Sequence, residues 1–124
     1  MKLRIRGNTL RLRLSQAEVE QLERTGRVED ATGFGPGRRL VYALQASGTA
    51  TQLSAHYEKD TITVLVPETL AGTWIGTDQV SLEGEQPTGT DDTLAVLVEK
   101  DFKCLHREGD AADADAFPHP RADA

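Results

Sequence analysis

One cysteine, Cys104, stands in a chain of 124 residues, so no disulfide can close within it and the fold must rest on packing and hydrogen bonds. No run of about 18 apolar residues occurs, which excludes a membrane-spanning helix of ordinary length. The opening Met1-Lys2-Leu3-Arg4-Ile5-Arg6 alternates and lacks the charged, apolar and cleavage regions of a secretory signal, so a cytoplasmic location is expected. Aromatic residues make up only 5% of the chain and none lies among the N-terminal cations, which leaves nothing there to stack on bases. Together with a net charge of −6 this argues against nucleic acid as a partner. No Gly-x-Ser-x-Gly or His-Glu-x-x-His motif is present, and no nucleophile is spaced to meet a base. No repeat with a period of 20 to 50 residues is evident, so a solenoid or propeller is not indicated.

What is present reads as one small α+β domain. Residues 1–107 are expected to form the domain and residues 108–124 an acidic tail, disordered or pinned at Phe117, because the tail carries little apolar surface to offset its ordering entropy. Lys2 to Arg6 and Thr9 to Leu14 alternate on either side of Gly7-Asn8, which predicts a two-residue hairpin. In that register Leu3 and Ile5 face Leu12 and Leu10, while Lys2, Arg4, Arg6, Arg11 and Arg13 form the opposite face. Ser15 and Glu18 form a capping box, Leu14 and Val19 can close a hydrophobic staple, and Gly26 ends the helix, so a helix is predicted over about 15–25. Strands are expected at Arg27 to Thr32, Arg39 to Ala46, Thr51 to Tyr57, Thr61 to Val66, Val80 to Leu82 and Leu94 to Val98. A second short helix over about 68–74 groups Leu70, Ala71 and Trp74. The sum is a mostly antiparallel curved sheet or partial β-barrel with a helix packed on it.

Charge is distributed unevenly. Residues 1–41 carry nine Lys/Arg and five Asp/Glu, and residues 42–124 carry five and fifteen. Like charges opposite one another on paired strands are destabilising, so Arg4 and Arg11 require a counter-charge. Carboxylates of neighbouring strands, the aspartates of the tail, or an acidic protein or other anionic ligand could supply it. A homodimer through an open strand edge is the other interaction the pattern admits. The expected function is therefore a non-enzymatic binding or interaction domain.

Other constellations are weaker. Gly33-Phe34-Gly35-Pro36-Gly37-Arg38-Arg39 matches neither phosphate-loop spacing and reads as an inter-strand loop. Cys104, His106 and His119 lack zinc-site spacing, and Asp101, Asp110, Asp113 and Asp115 lack the glycine and glutamate of a calcium loop, so neither metal nor cofactor is expected. Lys100, Asp101 and Cys104, with His106, form the one cluster on which a metal- or thiol-dependent enzyme could rest.

The Arg4-Ile5-Arg6-Gly7-Asn8 hairpin, the Trp74 region, the segment Glu99 to Leu105 and the ending Asp115-x-Phe117-Pro118-x-Pro120 resemble a family of small uncharacterised bacterial proteins, a domain of unknown function. The resemblance spans nearly the whole chain and implies no catalytic activity. Members of that family tend to have Asn where this chain has His119. The resemblance further implies that Phe117, with Pro118 and Pro120, anchors the tail and carries its aspartates over the basic hairpin face.

Overall fold

A computed structural model describes residues 1–102 and Phe117. Its strands are β1 (Lys2–Arg6), β2 (Thr9–Leu14), β3 (Arg27–Gly35), β4 (Arg38–Ser47), β5 (Ser54–Glu58), β6 (Thr61–Pro67), β7 (Ser81–Pro87) and β8 (Thr93–Lys100). Helix α1 (Gln16–Thr25) follows β2, and α2 (Glu68–Gly76) follows β6. The strands form two four-stranded sheets, ordered β1-β2-β8-β7 and β3-β4-β6-β5. The expected partial β-barrel is thus corrected to two separate, unclosed sheets. Four pairings are antiparallel, and in each sheet the central pair, β2 with β8 or β4 with β6, is parallel.

The hairpin has the expected register, Lys2 opposite Arg13 through Arg6 opposite Thr9, with Gly7 in the left-handed region that a two-residue turn needs. Alternation then sends Leu10, Leu12 and Leu14 into the core. The capping box also forms. Ser15 Oγ accepts from Glu18 N at 3.3 Å, and Glu18 Oε1 accepts from Ser15 N at 2.9 Å. Leu70, expected beside Ala71 and Trp74, is instead exposed while those two are buried. The strands expected at Arg39 to Ala46 and Thr51 to Tyr57 are β4 and β5, consecutive in the chain but separated in the sheet by β6.

The two halves of the chain repeat one another. β1-β2-α1-β3-β4 and β5-β6-α2-β7-β8 are both hairpin, helix, hairpin, and each sheet takes one hairpin from each half. Even single hydrogen bonds recur. Asn8 O accepts from Ala95 N at 2.9 Å, and Asp60 O accepts from Val41 N at 2.9 Å. Gly26 O accepts from Ala46 N at 2.9 Å, and Val80 O from Lys100 N at 3.0 Å. The repeat that composition and spacing do not reveal is plain in the strand pairing.

One core lies between the sheets, built from Leu10, Leu12, Leu14, Val96, Val98 and Leu82 of one and Val28, Leu44, Ile62, Val64, Val66 and Ala55 of the other. The helices close the end where β2 and β6 finish, with Leu22, Ala71 and Trp74 turned inward. The opposite end, where the hairpin turns lie, has no helix.

Glu18 links this core to the chain start, since its Oε2 also contacts the Met1 amine. Partial burial pushes its pKa up, but hydrogen bonds from the Met1 amine and from Ser15 outweigh this and hold the carboxyl below the ordinary glutamate value. A lowered folded-state pKa contributes stability that is present above the unfolded value and lost as pH falls through the folded one. Melting profiles taken downward from neutral pH should therefore show a smaller acid-side loss in Glu18→Gln than in the parent chain.

Candidate functional site: a cationic ribbon beside an apolar cleft

The outward face of the first sheet runs from cations to carboxylates. Register places Arg4, Arg11, Leu97 and Glu83 in one row across it, and Arg6, Thr9, Ala95 and Glu85 in the next. Arg11 receives its counter-charge from the adjacent strand: its Nε lies 2.8 Å from Glu99 Oε1. Both atoms are shielded from solvent and the N–H is not aligned on the oxygen, so the contact is a charge pair without a well-formed hydrogen bond. Lys2 Nζ reaches Asp101 Oδ2 at 2.9 Å, a pair in which the lysine is exposed and the carboxylate partly buried, of small energetic weight. Arg4, Arg6 and Arg13 have no carboxylate within ion-pair distance among the described residues. Of the five cations on the ribbon, Arg11 and Lys2 have carboxylate partners, Arg4 and Arg6 are exposed, and Arg13 is half-buried.

The end without helices holds a cleft of about 340 Å³, lined by Ile5, Leu10, Leu40, Tyr57, Ile62 and Leu94 among others. These are three pairs of equivalent positions in the two halves: Ile5 with Tyr57, Leu10 with Ile62, and Leu40 with Leu94. The cleft therefore sits where the internal two-fold relation would place its axis. An adjoining hollow of about 410 Å³ shares Leu40 and Tyr57 and adds Phe34, Arg38, Arg39 and Asp60. Phe34 is 72% exposed, Tyr57 68% and Ile5 58%, an apolar group with arginine at its rim. Arg38 is tied to Asp60, Nε to Oδ2 at 3.3 Å. The segment Gly33 to Arg39, expected as an inter-strand loop, is a loop only at the Pro36-Gly37 turn; the rest is the end of β3, with a bulge at Gly33/Gly35, and the start of β4. Exposed Phe34 on that bulge was the signal available in the sequence for this surface.

The Lys100-Asp101 pair has structural partners. Lys100 Nζ donates to Thr77 O at 2.7 Å and lies 5.6 Å from the centre of the Trp74 ring. Asp101 N donates to Leu14 O at 2.8 Å, and its carboxylate meets Lys2. Cys104 and His106 lie outside the described residues, as do His119, Pro118, Pro120 and the aspartates at 110, 113 and 115. Phe117 is 98% exposed. Among the described residues no group of three or more His, Cys, Asp or Glu is arranged to hold a metal, and no helix is long and apolar enough to cross a membrane. A third hollow, of about 660 Å³, lies between α1, Ile75 and Phe102.

Neither a curated protein nor a solved structure matches the chain. A family model matches residues 1–121, the whole of both hairpin–helix–hairpin units, and by that match the chain belongs to the family of unknown function DUF7009.

Proposed function

We propose that the chain is a non-enzymatic interaction domain that engages an anionic partner through the outer face of β1 and β2. The observation that supports this reading is the uneven pairing of the ribbon: Arg11 and Lys2 have carboxylates, Glu99 in β8 and Asp101 just after it, whereas Arg4, Arg6 and Arg13 have none within ion-pair distance among the described residues. Adjacent unpaired arginines repel one another, and an external anion relieves that repulsion while raising the encounter rate. The acidic residues 108–124 are the intramolecular competitor for the same face.

The test uses poly-glutamate as the anion. Arg4 and Arg6 are exposed, so Arg4→Glu with Arg6→Glu leaves the core intact and should weaken binding at least about tenfold at low salt. A chain ending at Glu108 should bind poly-glutamate more tightly than the full chain. Unchanged affinity in the double variant, with the melting temperature also unchanged, would remove the ribbon as the binding face.

A further inference from the structure

Strand β1 is an outer strand of its sheet, and its free edge differs from that of its equivalent, β5. In a two-residue hairpin the residues flanking the turn form a hydrogen-bonded pair, so Arg6, Arg4 and Lys2 point their backbone groups at β2 while Leu3 and Ile5 point theirs outward. The same geometry in β5 turns Ala55 and Tyr57 outward. At Ala55 the outward groups are satisfied: Ala55 N donates to Gln86 Oε1 at 2.7 Å, and Gln86 Nε2 donates to Ala55 O at 2.8 Å. One side-chain amide there imitates a neighbouring strand. At the equivalent residue, Leu3, the position of Gln86 is taken by Thr32, whose side chain is too short to do the same. Among the described residues no group hydrogen-bonds the outward N–H or C=O of Leu3 or Ile5.

The edge is bordered differently on its two sides. Towards the outer face stand Lys2, Arg4 and Arg6; towards the inner face stand Leu3 and the exposed Ile5, the latter at the lip of the apolar cleft. A strand laid along this edge places alternate side chains on those two sides. Two copies of β1 brought together would set these cations against one another, so the edge resists self-pairing while admitting a strand of opposite charge.

We infer that β1 binds an extended segment of an acidic partner protein as an added strand, with carboxylates alternating with apolar residues. Backbone pairing to Leu3 and Ile5 supplies the affinity, Lys2, Arg4 and Arg6 select the acidic side chains, and the cleft beside Ile5 receives an apolar one. The inference rests on the proposed anionic partner and specifies how that partner is held.

The probe is the capped peptide Asp-Val-Asp-Val-Asp-Val, offered to the full chain beside two controls. One control carries the same side chains with N-methyl groups on the amides that would face β1, and the other replaces Asp by Lys. The unmodified Asp peptide should bind at least about tenfold more tightly than either control and slow hydrogen exchange at the amides of Leu3 and Ile5. Equal binding of the N-methylated and unmodified Asp peptides would overturn strand addition and leave the charged face standing. Equal binding of the Asp and Lys peptides would overturn the anionic partner itself, and with it this inference.

Discussion

Replacing Trp74 by Ala should lower the stability of the chain by about 3–5 kcal/mol, the range for deleting a large buried aromatic side chain. Trp74 has no exposed surface and occupies the inner face of α2, where its equivalent in the first half is the smaller Leu22. Beyond volume, it joins three elements. Its Nε1 donates to Val80 O at 3.0 Å at the entry to β7, and the Lys100 ammonium from the end of β8 sits over its ring. Urea unfolding should show the loss as a lower midpoint. Trp74→Phe separates packing from polarity. Val80 O also accepts from Lys100 N, so that carbonyl keeps a partner when the indole is removed, and the Phe variant should lose only about 1 kcal/mol. A Phe variant as unstable as the Ala variant would show that the hydrogen bond, and not the filled volume, dominates.

The second large effect is expected at Gly84. A Cβ added there would lie 2.6 Å from Leu53 O and 3.0 Å from Leu53 Cβ, and the nearer of these atoms is backbone, which cannot rotate away. Gly84→Val should therefore force β7 off β5 and cost about 1–3 kcal/mol or more by overpacking. The strain falls beside the Gln86 clamp on Ala55, so the amide of Ala55 should also exchange faster. Gln86→Ala removes the clamp without the clash. It should raise exchange at Ala55 while lowering the melting temperature less than Gly84→Val. If Gly84→Val melts with the parent chain, the close approach of the two sheets at this seam is not required for the fold.

Local features of the fold were legible because they depend on neighbours in sequence. The Gly7-Asn8 turn sets the β1–β2 register, and Ser15, Glu18 and Gly26 set the bounds of α1 through their own backbone bonds. The parallel pairings of β2 with β8 and β4 with β6 depend on residues far apart, and alternation alone says only which face is apolar. The repeat was hidden for a related reason. Equivalent positions share burial and not identity, as in Leu10 with Ile62, Leu12 with Val64 and Leu22 with Trp74, and the longer α2–β7 connection shifts the alignment partway along. Strand β7 was foreseen only over Val80 to Leu82 because Glu83, Glu85 and Gln86 look like loop. Their polarity reflects an outer strand with one face in water and one amide turned to clamp β5.

For the site, alternation identified the cationic face of the hairpin, and the structure supplied which cations are already paired. Glu99 as the counter-charge of Arg11 could not be read from the chain, since it arrives through the β2–β8 pairing. The cleft was equally hidden, because Ile5, Leu40, Tyr57 and Leu94 come together only through the internal symmetry.

The same interleaving governs how the chain can be made. Strands β1 and β2 belong to the sheet that β7 and β8 complete, so that sheet lacks half of its strands until β8 has left the ribosome, while the other is filled once β6 has emerged. A nascent chain stopped after β4 carries two hairpins destined for different sheets, with Leu10, Leu12, Val28 and Leu44 lacking the surfaces that cover them in the finished molecule. The β2–β8 pairing joins segments more than 80 residues apart, the class of contact that forms slowly and leaves apolar surface exposed to aggregation longest.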